Sequence, residues 1–299
     1  MLKHRLTFGP IMILLLAFAA WLDQWLDGVG TPGWLESTGL VGETLPPAIV
    51  VGALVFLVAG AGAREVARIL RAKGVLIWTK PAVLVALAGA GLMGFGGHGT
   101  DPTESLGLVG LGVMGVFALG LVYGIRGRDT DGAMAVGSGV LALHVYMGIM
   151  PGFVILLRRE HDIWVLIWVL ACVKSCDIGA YFTGTTIGKN KLIPWLSPGK
   201  TWEGLAGGMA TAGLVGGLGA WWLASAGVAA PPPIVGAAMG VLFGGLGQAG
   251  DLLASLLKRD AGVKDSGTAL PGFGGVLDLI DSPIFVAPIA YWLLHTIGP

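Results

Sequence analysis

The sequence predicts an all-α, polytopic membrane protein with about nine transmembrane helices and a cytoplasmic N-terminus. Three observations carry this. The 299 residues are 55% hydrophobic and only 12% charged, against about 25% charged in soluble domains. Apolar stretches near the roughly 20 residues that a spanning helix needs recur along the whole chain. The 52 glycines supply small residues that let membrane helices approach closely. Net charge is zero, so no nucleic-acid partner is expected, and the surrounding partner is the lipid bilayer.

Taken in order, each span is set off by charged loops, and basic residues mark the cytoplasmic side. Phe8 to Leu26 follows Lys3 and Arg5 and has no convincing small-residue cleavage site, so it reads as a retained anchor. An acidic outside loop follows, with Asp23, Asp27, Glu36 and Glu43. Pro46 to Ala63 returns the chain to a basic inside loop of Arg64, Arg68, Arg71, Lys73 and Lys80. Pro81 to Gly97 leads out to Asp101 and Glu104, and Ser105 to Gly124 leads back to Arg126 and Arg128. Ala133 to Leu157 then places Arg158 and Arg159 outside, against the rule. Ile163 to Gly184, which carries Lys174 within it, leads to inside lysines 189, 191 and 200. Gly204 to Val228 reaches an uncharged turn, Ala229 to Pro233. Ile234 to Leu257 returns to Lys258, Arg259 and Lys264, and Pro283 to Ile297 ends the chain outside.

Residues 1–160 are expected to act as scaffold, holding a lipid pocket or the contacts of a homodimer. Residues 161–299 are expected to be the catalytic region. In the first part, Glu65 with Arg64 and Arg68 reads as interfacial charge at a helix end, where snorkelling costs little. His144 reads as a packed or interfacial histidine. Cys172 and Cys176, four apart on one apolar helix, are poorly set for a disulfide and read as small buried residues.

The chemistry is concentrated between Gly250 and Ser282. On a helix, Asp251, Ser255 and Lys258 share one face, and Asp278 and Asp281 share another. Between them lie Arg259, Lys264, Asp265 and the turn-forming Leu270 to Gly275. Carboxylates on two helices, joined by a basic glycine-rich loop, suit a divalent metal held against a phosphate, because hard cations take oxygen ligands. Upstream, Lys174, Asp177 and Tyr181 fall on one helical face inside a span, where ionisable residues are costly and usually functional. A Lys174–Asp177 pair that only neutralises itself is the plain alternative. The segment Gly188 to Gly204 offers Lys189, Lys191 and Lys200, with Ser197 and Thr201 as hydroxyl donors or helix caps. Lys200 and Glu203, at i and i+3, are expected to share a face. This segment suits an anion at a helix start but is not a Walker A sequence.

These residues resemble the phosphatidate cytidylyltransferase family, also called CDP-diacylglycerol synthases. The likeness rests on Asp177-Ile-Gly179-Ala180-Tyr181, on Ser197-Pro-Gly-Lys200-Thr-Trp-Glu203-Gly204, and on Ser255-Leu-Leu-Lys258-Arg259 followed by Lys264-Asp265, Pro271, Gly274-Gly275, Asp278 and Asp281-Ser282. It covers roughly Cys172 to Ser282. Two positions depart from the family pattern. Phe273 stands where a histidine is usual, and Leu279 stands where an arginine is usual.

The resemblance implies that CTP and phosphatidic acid give CDP-diacylglycerol and pyrophosphate, with Mg²⁺, or Mn²⁺ in its place. Asp251, Asp278 and Asp281 are then the expected metal ligands, with Asp177 and Asp265 as weaker ones. Lys200, Lys258, Arg259 and Lys264 would hold phosphates, and Ser197, Thr201, Glu203 and Ser255 complete the expected substrate contacts. The protein would sit in a bacterial inner membrane with its site on the cytoplasmic side. Two other readings stay open: a related CTP-using enzyme acting on another lipid phosphate or polyprenol, and a transporter with an intramembrane acidic site. Transporter sites lie near the midplane between repeats, and no internal repeat is visible here.

Overall fold

The computed structural model describes residues 2–37, 43–96, 102–125, 130–267 and 274–297. Asp101, Arg126, Arg128 and Leu270 to Phe273, which the sequence reading uses, lie outside them, as does Gly97. The helices are α1 (Leu2–Leu26), α2 (Gly33–Glu36), α3 (Ile49–Ala72), α4 (Thr79–Phe95), α5 (Pro102–Gly124), α6 (Ala133–His144), α7 (Met150–Glu160), α8 (Ile163–Thr186), α9 (Trp202–Ser225), α10 (Pro233–Asp260) and α11 (Leu277–Ile297). A π-helical turn, Val145–Ile149, joins α6 to α7. The strands among the described residues are β1 (Lys191–Ile193) and β2 (Ser197–Thr201), an antiparallel hairpin pairing Lys191 with Thr201 and Ile193 with Ser197.

All nine expected spans fall on helices, with α6, the π turn and α7 making one stretch of 28 residues. Among the described residues, seven helical stretches are long and apolar enough to cross a membrane by length and composition. The chain is an all-α polytopic membrane protein. Helices dominate because a bilayer offers no water to satisfy backbone groups. Of the other two stretches, α4 is only 17 residues long. α9 has 24 residues, and its many glycines dilute its hydropathy. α1 and α5 keep apolar side chains exposed, such as Leu14 at 69% and Leu111 at 67%, as helices facing lipid do.

Close approach through small residues welds α8, α9 and α10 together. A Cβ on Gly208 would stand 2.6 Å from the Cys176 carbonyl oxygen, and one on Gly213 would stand 2.8 Å from Val241 Cγ2. Trp168 Nε1 donates to the Gly216 carbonyl at 3.0 Å. The core forms two clusters. One gathers Trp168, Cys172, Val173, Phe243 and Val286 with Val51 and Val55 of α3. The other gathers Val66, Ala67, Leu143 and Met147 with Leu277 and Ile284 of α11. Neither cluster stays on one side of the 160/161 boundary. Both cysteines are buried and free. His144 is packed inside, with Nδ1 2.9 Å from the Val85 carbonyl.

One end of the bundle holds the two arginines that stand against the charge rule. Arg158 is 4% exposed. Its Nε donates to Asp23 Oδ2 at 2.6 Å, and its Nη2 donates to Asp27. Asp23 Oδ1 in turn accepts the Val50 and Val51 amides at 2.8 and 3.0 Å, capping α3. Arg159 Nη1 donates to the Gly94 carbonyl. Both guanidiniums are thus bonded in place in the fold.

The opposite end corrects the reading of Glu65. α3 does not stop near Ala63 but runs on to Ala72, which carries Glu65 inward at 5% exposure. It is a buried carboxylate, not interfacial charge. Lys73, the residue just past the end of α3, pairs with Asp260 at the end of α10 at 2.8 Å. The ends of α3 and α10 and the start of α11 therefore meet at this border.

Candidate active site

Two charged groups lie at that border, on either flank of the α11 start. The first lies where α8, α10 and α11 meet, because Gly250 lets the helices close. A Cβ there would stand 2.7 Å from the Asp281 carbonyl oxygen. Asp281 is 3% exposed, and its Oδ1 accepts from the Ser282 amide at 2.6 Å. Asp251, on α10 beside Gly250, pairs with Lys200 Nζ at 2.6 Å. Lys200 also reaches the Gln248 carbonyl at 3.4 Å, and Gln248 Nε2 donates to Asp177 Oδ1 at 2.7 Å. Lys174 stands 3.6 Å from Asp177 and donates to the Leu279 carbonyl at 3.3 Å. So the Lys174–Asp177 pair does more than neutralise itself: it ties α8 to α11. It also brings a cation to the turn where the resemblance leads one to expect an arginine. Tyr181 of α8 is 67% exposed and stacks edge-on against Phe182.

The hairpin is what delivers Lys200. Thr201 is buried, and its hydroxyl accepts the Gly204 amide at 3.0 Å, so it serves α9 as its N-cap. Glu203 does not share a helical face with Lys200, because Lys200 lies in β2, before the helix begins. Its carboxylate instead accepts from the Lys189 and Asn190 amides at 3.2 Å and from Asn190 Nδ2 at 2.6 Å. It therefore clasps the turn that leads into β1. Its own backbone amide, with those of Asn190 and Lys189, holds its carboxyl below the usual range. Ser197 is half-buried at the start of β2.

The second group includes Asp278. Its Oδ1 takes Lys258 Nζ at 2.5 Å. Its Oδ2 accepts from the Gly275 amide at 2.9 Å, the Ser266 hydroxyl at 2.9 Å and the Ser266 amide at 3.2 Å. Ser266 Oγ also lies 2.8 Å from Glu65 Oε2. Glu65 further accepts the Val276 and Leu277 amides, each at 2.9 Å. Asp278 is thus drawn into the loop ahead of α11, while Asp281 faces α10. Arg259, Lys264 and Asp265 are exposed, and Ser255 is half-buried on α10.

The expected triad of Asp251, Asp278 and Asp281 is not assembled as three ligands around one point. Among the described residues, no group of three or more His, Cys, Asp or Glu is placed to hold a metal ion. The donors at the first group are nevertheless oxygen-only, with Asp251 35% and Asp177 39% exposed. Mg²⁺ is usually held by one or two carboxylates plus substrate phosphates. The chemistry of Asp251 and Asp281 fits that pattern.

Two openings flank the site. A cavity of about 300 Å³ is lined by Arg68, Lys264, Ser266 and Gly267, among others. A groove of about 520 Å³ runs between α3 and α4, lined by Phe56, Leu57, Leu87 and Arg64 and reaching Val276. Sequence reasoning missed Gln248 and the role of Glu65. Gln248 is an uncharged residue in an apolar helix, and only its position three residues before Asp251 could have marked it.

The fold and the site define an integral membrane protein with a basic hairpin folded onto helix acids at one border. The sequence profile of the cytidylyltransferase family matches residues 38–297, and the chain belongs to that family. A phosphatidate cytidylyltransferase of Mycobacterium tuberculosis is 33% identical over 248 residues, covering 79% of this chain and 71% of the relative. One of Bacillus subtilis is 38% identical over 177 residues, covering 58% and 64%. One of Synechocystis is 44% identical over 137 residues, and the match spans only 44% of that relative's length.

Proposed function

We propose that the protein transfers the cytidylyl group of CTP to phosphatidic acid, forming CDP-diacylglycerol and pyrophosphate. A phosphate oxygen of phosphatidate attacks the α-phosphorus of CTP. The bond from that phosphorus to the β-phosphate bridging oxygen breaks, and pyrophosphate leaves with the electron pair. The attacking group is already anionic, so no strong general base is needed. The demand is for positioning and charge neutralisation.

The observation that carries this reading is the Lys200–Asp251 pair. It sets the cation of strand β2 (Ser197–Thr201) beside the acids of α10 and α11, segments far apart in sequence. In this reading Lys200 exchanges Asp251 for a CTP phosphate, and Lys258, Arg259 and Lys264 hold further phosphate charge. Asp251 and Asp281 would hold Mg²⁺, or Mn²⁺, with Asp177 close by. When bound, the ion supplies neutralisation of the triphosphate and Lewis-acid activation. The α3–α4 groove, apolar with Arg64 at its polar end, suits an acyl chain and an anionic head. The site would face the cytoplasm of a bacterial inner membrane, where CTP arrives, and a homodimer would form through the exposed apolar helix faces.

The test is purified protein with CTP labelled in the α-phosphate, phosphatidate and Mg²⁺. Label moving into the lipid extract is the expected result, lost with chelator and restored by metal. Label that stays aqueous under all metal conditions rejects the reading.

A further inference from the structure

Glu65 lies outside the motif segments on which the resemblance rests, yet it accepts three hydrogen bonds at the border. It comes from α3 and is 5% exposed. Its two oxygens take the Val276 and Leu277 amides and lie against the Ser266 hydroxyl. These amides belong to the start of α11, which has no partner of its own for them. A carboxylate at that place also complements the helix dipole. The backbone is shaped around it. A Cβ on Gly267 would stand 2.6 Å from Glu65 Oε1, and one on Gly275 would collide with both Glu65 and Ser266 Oγ. Glycine is what allows the loop to close over the carboxylate.

Ser266 links this acid to the site. Its one hydroxyl proton lies between Glu65 Oε2 at 2.8 Å and Asp278 Oδ2 at 2.9 Å. Asp278 in turn holds Lys258. We propose that Glu65 is a positioning residue for the reaction: it fixes the start of α11 and, through Ser266, the place of Asp278 and Lys258. This rests on the reading of the protein as a CTP-dependent lipid transferase. Glu65 touches no substrate in this account; it acts through the groups it holds.

The experiment uses the full chain in lipid nanodiscs, with Glu65→Gln and Ser266→Ala beside the wild type. Glutamine offers one acceptor and turns an N–H₂ against amides that already donate. Glu65→Gln should lower kcat by about tenfold or more per folded molecule, with the KM for phosphatidate within about twofold. Hydrogen exchange at Val276 and Leu277 should speed up by about tenfold, with α8 and α9 unchanged. Ser266→Ala should lower kcat while leaving exchange at Val276 and Leu277 as in the wild type. A Glu65→Gln enzyme with unchanged kcat, or with unchanged exchange at these two amides, overturns the proposal. So does a loss that lies only in the folded fraction. If Glu65→Gln does not fold, Ser266→Ala decides, and normal turnover there overturns the link to Asp278. A wild type that does not turn over CTP and phosphatidate rejects the function instead, while the exchange measurements still test the Glu65 clamp.

Discussion

At the scale of single residues, the structure separates acids that the sequence placed together. Asp278 and Asp281 are three apart, and helical spacing puts them on one face. In the first turn of α11, however, free backbone amides and Lys258 compete for Asp278, while Asp281 turns to the Ser282 amide against α10. The two should therefore respond differently to metal. Asp251→Asn and Asp281→Asn should raise the Mg²⁺ concentration for half-maximal activity by about tenfold or more, since each removes a charged oxygen ligand. Asp278→Asn should lower kcat with that concentration unchanged. A titration of activity with Mg²⁺ in the three variants checks this, and equal shifts in all three would restore the triad. The sequence singled out Lys200, Lys258, Asp251 and Asp281 because charged segments between apolar spans stand out. Glu65 was not, because its partners are 201 to 212 residues away. No local spacing could show that its helix continues inward to meet them.

At the scale of elements, the helices under the nine expected spans were legible from apolar length, since lipid leaves the backbone little other choice. The hairpin was not, because Lys191 to Thr201 mixes lysines, prolines and a glycine without a two-residue period. Its place depends on a junction with α9, where Thr201 both ends β2 and caps the helix. Thr201→Ala should cost about 1 kcal/mol of stability through the lost cap. It should also raise the KM for CTP more than it lowers kcat, because Lys200 is the next residue. Thermal unfolding and steady-state kinetics measure the two effects separately. Unchanged KM with the expected loss of stability would show that the cap does not steer Lys200.

For the whole molecule, orientation rests on loops whose lysines and arginines gather at the α3, α10 and β1–β2 border. A cysteine at Lys264, an exposed position, in a chain lacking Cys172 and Cys176 should resist an impermeant thiol reagent in intact cells and react in inverted vesicles. Labelling from outside would reverse the topology. The far end is governed by Arg158, whose removal should be severe. Arg158→Met leaves Asp23 buried and uncompensated, with an expected loss of about 3–5 kcal/mol, read as a lower unfolding temperature of the purified protein.

That same ion pair sets a timetable for biogenesis. Asp23 and Arg158 are 135 residues apart. At about 5–20 residues per second, the ribosome takes roughly 7–27 s to make the partner after the acid. During that interval the nascent first helix carries an acid whose counter-ion has not yet been synthesised, so Asp23 has to stay hydrated at the helix end until Arg158 arrives. Chains truncated before Arg158 should be degraded faster in the membrane than the full chain, and a pulse-chase of the two checks this.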